Sequence, residues 1–249
     1  MVTPLDNTPI EAAGSNNAAY EDLRSKLGTA DEQTQSEGGQ RLVNIGEQNP
    51  DWLGKHVDLI EKALASEFSG VRNKGMRATL LLVNEDPEAA GDLVAPAIEA
   101  LQTSAAPSAK NELIKALWGI HHNTDTSISA GDEVYAELIS TADPFVVDRA
   151  LEYIGGAVVD EPDSFPETIR SVVEALEKPD KSIITSATVI LGVIARDAPE
   201  SLPDREHIIR TLEKVRDWEM VQPQRETIEK SFRDVRAAEV QREGNNTGD

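Results

Sequence analysis

The chain repeats itself at a period of 36 to 38 residues over most of its 249 residues. The segment from Asn49 to Leu64 aligns with the segment from Asp86 to Leu101, and five of the aligned positions are identical. Self-similarity at such a period indicates stacked copies of one supersecondary unit, so it constrains the fold more than any other feature. The copies end on a leucine in each case, namely Leu64, Leu101, Leu138, Leu176 and Leu212.

A second register with the same period lies between these copies. Small or apolar residues recur in it, and a glycine follows one of the apolar positions three times, at a site where close packing or a helix end would favour glycine. Two registers in one period predict two structural elements in each repeat. The register consists of Ala78, Ile114, Ala150 and Ala187, then Leu82, Trp118, Ile154 and Leu191, with the glycines at Gly119, Gly155 and Gly192.

Both elements of the repeat are predicted to be helices. Val57, Ile60 and Leu64 follow the 3.6-residue spacing of one helix face, and strict alternation of apolar and polar residues is scarce. Prolines such as Pro50 stand where the second helix would begin, a position at which the missing N–H costs nothing. Pro96 lies inside a helical pattern, so it either kinks its helix or marks the true start.

The predicted fold class is therefore all-α, an α-solenoid of about five helix pairs with N- and C-terminal capping helices. The first capping helix is expected at 17–28 and the last helix at about 222–242, where Glu226–Lys230 and Glu229–Arg233 are spaced for ion pairs. The solenoid spans residues 17–242, and the ends 1–16 and 243–249 are expected to be disordered. The expected repeats are 30–67, 68–104, 105–141, 142–178 and 179–217, with a C-terminal cap at 218–242.

These helix pairs resemble HEAT-type repeats, which are related to armadillo repeats, over residues 30–217. Val71-Arg72 looks like the Val-Arg pair often found early in a HEAT unit, although Lys110, Asp148 and Thr185 replace the arginine in later units. The resemblance implies a non-catalytic scaffold or adaptor for protein–protein interaction. Its second helices would line a concave surface open to a partner.

The charge composition is typical of a salt-adapted protein. The chain has 45 acidic and 24 basic residues, a formal net charge of −21, 4% aromatic residues and no cysteine. A charge of this size destabilises a compact state in dilute buffer and is screened at molar salt. The composition resembles the cytoplasmic proteins of halophilic archaea, whereas an ordinary acidic protein with a basic partner is the alternative. The start of the chain has no secretory pattern and no apolar run spans a membrane, so a cytoplasmic location is expected.

No sequence motif points to catalysis, a metal or a cofactor. The absence of cysteine excludes thiolate sites, and neither phosphate-loop nor metalloprotease patterns occur. His121 and His122 are adjacent, so on a helix they point about 100° apart and do not grip one ion easily. A regulatory subunit of an enzyme complex remains an alternative. A DNA glycosylase built from HEAT-like repeats is another, but a net charge of −19 in residues 1–200 opposes binding to nucleic acid.

The partner-binding residues are expected near the C-terminal end. Residues 201–242 hold nine basic and nine acidic residues and are the only long stretch without net charge. The repeat register aligns solvent-facing columns on the second helices, among them one through Asp132 and one through Ser66. Within these columns, four cations in the last two repeats predict a docking site for an acidic partner protein. They are Arg170, Lys178, Arg210 and Lys214.

Overall fold

The computed structural model describes residues 13–216, 218 and 222–246, and for 13–16 and 243–246 it describes only the backbone. The described residues form helices and no strand, which confirms the all-α solenoid class. The chain divides into two compact units, Met1–Thr126 and Ser127–Asp249. The boundary between them lies inside the third expected repeat.

The first unit contains eight α-helices among its described residues. α1 precedes two complete helix pairs and the first helix of a third pair. The second helix of each complete pair is divided into a short segment and a longer one. The helices are α1 (Ala13–Leu27), α2 (Glu32–Gln48), α3 (Pro50–Gly54), α4 (Val57–Leu64), α5 (Ser69–Glu85), α6 (Pro87–Ala90), α7 (Val94–Thr103) and α8 (Pro107–Asn123).

The second unit contains six α-helices among its described residues, and three short 3₁₀ turns precede the second helices of its repeats. The 3₁₀ turns are Ser129–Gly131, Pro162–Ser164 and Pro199–Ser201. The helices are α9 (Asp132–Thr141), α10 (Pro144–Asp160), α11 (Pro166–Ala175), α12 (Lys181–Asp197), α13 (Arg205–Arg216) and α14 (Gln222–Asn246).

In four of the five repeats a proline stands two residues after the end of the first helix, and α8, which has no such proline, has the same length. The first helices α2, α5, α8, α10 and α12 have 17 residues each. The residue before the proline leaves the helical region, with φ of −150° at Asn49 and −131° at Glu161. The pyrrolidine ring disfavours the α region for the residue that precedes it, so one dipeptide ends the first helix and begins the next segment.

The two sequence registers are the core of the repeats, as predicted. The closing leucines are at most 4% exposed, and Ala78, Ile114, Ala150 and Ala187 are fully buried. Pro96 is the third residue of α7, so it marks the first turn of that helix and does not kink it. A proline is tolerated in the first turn because the N–H there has no intrahelical partner.

Both terminal helices are longer than the sequence patterns indicated. α1 begins at Ala13 and α14 ends at Asn246, so 13–16 and 243–246 are helical where disorder was expected. No proline lies between Ala13 and the core residues of α1, or after Pro223 in α14, so the backbone hydrogen bonds continue past the last apolar contact. The expected disorder of 1–12 and 247–249 lies outside the described residues.

The ion pairs expected on α14 are replaced by other contacts. Glu226 Oε1 accepts a hydrogen bond from Gln222 Nε2 at 3.0 Å, and Arg233 Nε donates to the backbone oxygen of Glu229 at 3.3 Å. Neither expected pair is formed within the described part of α14. Long exposed side chains on a helix have several partners one turn away, so spacing alone does not select the ion pair.

Candidate protein-binding surface

The four predicted cations all lie on or directly after α11 and α13 in the second unit. Arg170 is on α11, and Lys178 follows the end of that helix. Arg210 and Lys214 are one turn apart on α13, so their side chains share one face. All four side chains are exposed or half-exposed. Whether they bind a partner stays a prediction.

Two of the four cations are engaged within the chain. The Arg170 guanidinium forms an ion pair with Glu167, one turn earlier on α11. Lys178 Nζ donates a hydrogen bond to the backbone oxygen of Ser140 at 3.0 Å. A partner would therefore compete with existing contacts at both residues.

The other two cations are exposed side chains of α13. Arg210 and Lys214 are exposed, and no ion pair with either is found among the residues that the structure describes. Trp218 lies four residues after Lys214, beyond the end of α13 at Arg216; it is 36% exposed, and its backbone N–H donates to Val215 O at 3.0 Å. Arginine and tryptophan are the residue types that most often dominate binding energy at protein interfaces. We call Arg210, Lys214 and Trp218 the α13 surface.

Trp218 is a surface residue that sequence reasoning missed. The other tryptophan at a repeat junction, Trp52, is 2% exposed. The difference is that Trp52 is held inside α3, where its ring stacks on His56 with 4.1 Å between centroids. Trp218 lies outside α13, which ends at Arg216, and precedes α14.

α13 is fixed in place by a buried arginine. Arg205 is 9% exposed, its Nε donates to Pro199 O at 3.0 Å, and its Nη1 lies 3.9 Å from Glu239 Oε2 of α14. On the opposite side of the helix, His207 Nε2 lies 3.7 Å from Glu177 Oε1. These contacts join the first residues of α13 to the turn before it, to α14 and to the loop after α11.

Acidic residues on the same helix limit the charge of this surface. Glu206 and Glu213 are exposed on α13 beside Arg210 and Lys214. A nucleic acid needs clustered cations without neighbouring carboxylates to hold its phosphates. The mixture is suited to direct side-chain contacts with a protein, in which single arginines select single carboxylates.

Two residues of the expected solvent-facing columns are used inside the repeats instead. Ser66 is 7% exposed, and its Oγ donates to Gln35 Oε1 at 2.6 Å. Asp132 accepts hydrogen bonds from the backbone N–H groups of Glu167 at 3.0 Å and Thr168 at 2.8 Å. The prediction that these two positions face solvent is corrected. Asp132 satisfies the free N–H groups at the start of α11, a task that the helix's own N-cap, Phe165, does not perform.

The histidine pair lies at a helix end, as the sequence indicated. His121 and His122 are in the last turn of α8, and the Trp118 ring stacks on His122 at 4.9 Å between centroids. Within residues 13–216, 218 and 222–246, no group of three or more His, Asp or Glu side chains is arranged to hold a metal ion. In that same part of the chain, no helix combines the length and apolarity that crossing a membrane requires.

Comparisons with known proteins identify the fold. No protein-family model matches the chain, and no curated protein does. An engineered protein superposes with a TM-score of 0.60 at 21% identity, covering 89% of this chain and 98% of its own. An archaeal HEAT-like repeats protein from Thermococcus onnurineus NA1 does so with a TM-score of 0.56 at 16% identity, covering 92% and 90%.

A third similar structure is a designed armadillo repeat protein in complex with the peptide (KR)4. Its TM-score is 0.63 at 15% identity, with 87% of this chain and 99% of the other covered. At these identities the likeness is one of fold. The chain therefore has the architecture of HEAT and armadillo repeat proteins.

Proposed function

We propose that this protein is a non-catalytic scaffold that binds an acidic partner protein through α13. We further propose that it works in the cytoplasm of a halophilic archaeon, where molar salt screens its net charge of −21. The docking residues are Arg210, Lys214 and Trp218, with Arg170 and Lys178 at the edge. A scaffold that regulates an enzyme complex would use the same surface.

The observation that carries this proposal is the exposed pair Arg210 and Lys214. In a chain with 45 acidic residues, carboxylates are available to almost every cation, yet these two have no ion pair among the described residues. Both lie on one face of α13, and Arg205 of the same helix donates a hydrogen bond to Pro199 O. Two exposed cations without an ion pair among the described residues, with an exposed tryptophan soon after them in the chain, can bind and desolvate a carboxylate of a partner.

High salt limits the kinds of interaction by which such a surface can bind a partner. At molar KCl the Debye length falls to about 3 Å, so only charges in direct contact attract each other. The planar guanidinium of Arg210 can hold a carboxylate with two parallel hydrogen bonds, which a lysine cannot do. Arg210 should therefore contribute more to binding than Lys214, and Trp218 should supply the apolar part of the contact.

The fold supports peptide or protein docking in general. The designed armadillo repeat protein with a similar fold binds a peptide, (KR)4, and that peptide is basic. A basic peptide does not suit the α13 surface, because this surface presents cations where such a peptide would need carboxylates. The proposed partner is acidic for this reason.

The test is a comparison of bound proteins at 2 M KCl. Tagged full-length chain and the Arg210→Ser/Lys214→Ser double variant are incubated with extract of a halophilic archaeon, and the retained proteins are quantified by mass spectrometry. The matched control is Arg225→Ser/Lys230→Ser, which removes the same charge from exposed positions of α14. Each retained protein is then purified and its affinity for the three forms is measured.

The expected result is an acidic protein whose affinity falls at least tenfold with the α13 variant and stays unchanged with the α14 control. Circular dichroism should be the same for all three forms, because the four substituted side chains are exposed. A set of retained proteins that is identical for the wild type and the α13 variant would show that α13 is only a solvated face.

A further inference from the structure

The terminal helix α14 covers one face of the last repeat. It packs against both helices of that repeat, α12 and α13. Its buried apolar side chains are spaced by three or four residues, so they form one stripe along the helix, namely Ile228, Phe232, Val235 and Ala238. The two helices of the repeat therefore form a groove for an amphipathic helix, and α14 is the helix that lies in it.

α14 buries few apolar side chains for its length. The 25 residues of α14 include four buried apolar side chains among those that the structure describes, whereas the 17 residues of α12 include seven. Packing of the apolar face supplies most of the stability of a helix in a protein, so α14 is held less firmly than the repeat beneath it. Elements with few buried apolar contacts are those that open locally while the rest of a protein stays folded.

The buried charges of this groove are incompletely paired with α14. Arg205 of α13 is 9% exposed, and its Nη1 lies 3.9 Å from Glu239 Oε2, beyond hydrogen-bond distance. The same Nη1 donates to the backbone oxygen of Ala238 at 3.5 Å, a long hydrogen bond. Glu239 Oε2 is buried and accepts no hydrogen bond from any residue that the structure describes. A guanidinium and a carboxylate are thus both buried here without the direct hydrogen bond that would repay their desolvation.

Thr188 of α12 adds another unpaired group on the same side. It lies one turn before Gly192, and a Cβ atom at Gly192 would meet Ser231 of α14, so both residues face the groove. Thr188 is fully buried, and its Oγ1 has no hydrogen-bond partner in the described part of the chain. Buried polar groups without partners lower the stability of a packed interface. α14 is therefore an occupant that another helix with better placed polar groups can replace.

We infer that the groove of α12 and α13 binds an amphipathic helix of a partner protein, and that this helix displaces α14. The partner helix has an apolar stripe in place of Phe232 and Val235, and an aspartate or glutamate within hydrogen-bond distance of Arg205. A carboxylate is the matching group because a guanidinium donates hydrogen bonds and accepts none. The groove is distinct from the α13 surface, so this inference goes beyond the proposed function and does not depend on it.

The test is whether a separate helix enters the groove when α14 is weakened. The probe is a fluorescein-labelled peptide with the sequence of residues 222–246, and its binding to the full chain is measured by fluorescence anisotropy at 2 M KCl. Phe232→Ala in the chain removes the largest apolar group of α14 and changes no residue of α12 or α13. Because the tethered α14 competes at a high effective concentration, the variant should bind the peptide about tenfold or more tighter than the wild type.

Matched controls separate the groove side of α14 from its outer side. Val240→Ala in the chain, at a side chain that is 61% exposed, should leave the affinity for the peptide at the wild-type value. A peptide with Glu239→Gln should bind the Phe232→Ala chain about tenfold or more weaker, because it leaves the buried guanidinium of Arg205 without a counter-charge. A peptide with Glu229→Gln, at an exposed position, should bind as the unchanged peptide does.

A measurement on the wild type keeps the inference testable if Phe232→Ala unfolds the chain. Hydrogen exchange of the full chain at 2 M KCl should be about tenfold or more faster for the amides of α14 than for those of α12 and α13, because α14 opens while the repeat stays folded. Equal exchange rates in the three helices would overturn the inference, and so would a peptide affinity that Phe232→Ala does not raise. A wild-type dimer in light scattering that Phe232→Ala dissociates would assign the groove to a second copy of this chain instead of a partner.

Discussion

Gly192 of α12 and Ser231 of α14 are in contact so close that no side chain fits between them. A Cβ atom on Gly192 would lie 2.3 Å from Ser231 Oγ and 2.9 Å from Ser231 Cα. Because the second of these is a backbone atom, a rotamer change of Ser231 does not make the room. Gly192 therefore sets how closely α12, the first helix of the fifth repeat, packs against the terminal helix α14.

Gly192→Ala should destabilise the protein. The added methyl group pushes α14 away from α12, and overpacking of this kind costs about 1–3 kcal/mol, partly offset by the better helix propensity of alanine. The measurement is the free energy of unfolding from urea titration at 2 M KCl. Gly70→Ala is the control, because nothing lies within 4 Å of a Cβ at that position.

The control substitution isolates the packing term. Gly70 is the second residue of α5 and exposed, so alanine there should leave stability unchanged or raise it by up to about 1 kcal/mol. If Gly192→Ala matched Gly70→Ala in sign and size, α14 would be free to move away from α12, and the close approach would have no energetic weight.

The glycine and proline positions could be predicted from the sequence because both recur at the period of the repeat. Gly192 recurs in register with Gly119 and Gly155, and each of the three has a neighbouring side chain within 2.6 Å of the absent Cβ. A proline likewise excludes the helical conformation from the residue before it, whatever surrounds the pair. Helix pairs, their period and their buried registers followed from such local rules.

The polar contacts of single side chains could not be predicted in the same way. Periodicity assigned Asp132 to a solvent-facing column, but its partners are backbone N–H groups 35 and 36 residues further on. Arg170 was in the predicted docking set, yet Glu167 on the same helix occupies its guanidinium. A repeat register indicates the direction in which a side chain points, but it does not indicate which group that side chain contacts.

A buried ion pair should make α14 sensitive to one substitution. Arg205 and Glu239 side chains are each 10% exposed and stand 3.9 Å apart. Glu239→Gln leaves the buried guanidinium without a counter-charge, which should cost roughly 2–4 kcal/mol of unfolding free energy. The measurement is again urea unfolding, with Glu47→Gln as the comparison.

Glu47 pairs with Arg77 at the surface, where the side chains are 42% and 63% exposed. Removing that charge should cost less than about 1 kcal/mol, because water screens an exposed pair. Equal losses for Glu47→Gln and Glu239→Gln would contradict a stabilising role for the buried pair.

Tyr135 should make the protein less stable in alkali. Its ring is fully buried in the second unit, its Oη donates to Ile128 O at 3.1 Å, and burial raises the pKa of the phenol above its usual range. The folded state therefore keeps the proton, whereas the unfolded chain loses it near pH 10. Stability from this group is complete below pH 10 and falls above it, by at most about 1.4 kcal/mol per pH unit.

The measurement is the urea midpoint between pH 8 and pH 11, for the wild type and Tyr135→Phe. Phenylalanine has no proton to lose, so the decline above pH 10 should be shallower in the variant. The variant also lacks the hydrogen bond to Ile128 O, which should lower its stability by about 1 kcal/mol at pH 8. Parallel curves for the two forms would rule out Tyr135 as the titrating group.

The last prediction concerns salt, on which the proposed habitat depends. The net charge of −21 is spread over exposed carboxylates, and three of them, Glu61, Glu67 and Glu99, rim one pocket without an ion pair among the described residues. At 0.1 M salt the Debye length of about 10 Å lets such groups repel one another, and at 1 M it is about 3 Å. The melting temperature at pH 7 should therefore rise steeply between 0.1 M and 2 M KCl.

A control at a second pH separates charge screening from the general effect of salt on apolar surfaces. Close to the pI of about 4.5, the net charge is small, so screening has little repulsion left to remove. At pH 5 the same change in KCl should raise the melting temperature much less than at pH 7. Equal increases at both pH values would assign the effect to salt exclusion from the surface. Equal melting temperatures in 0.1 M and 2 M KCl at pH 7 would remove the physical basis for a salt-adapted protein, whatever its composition.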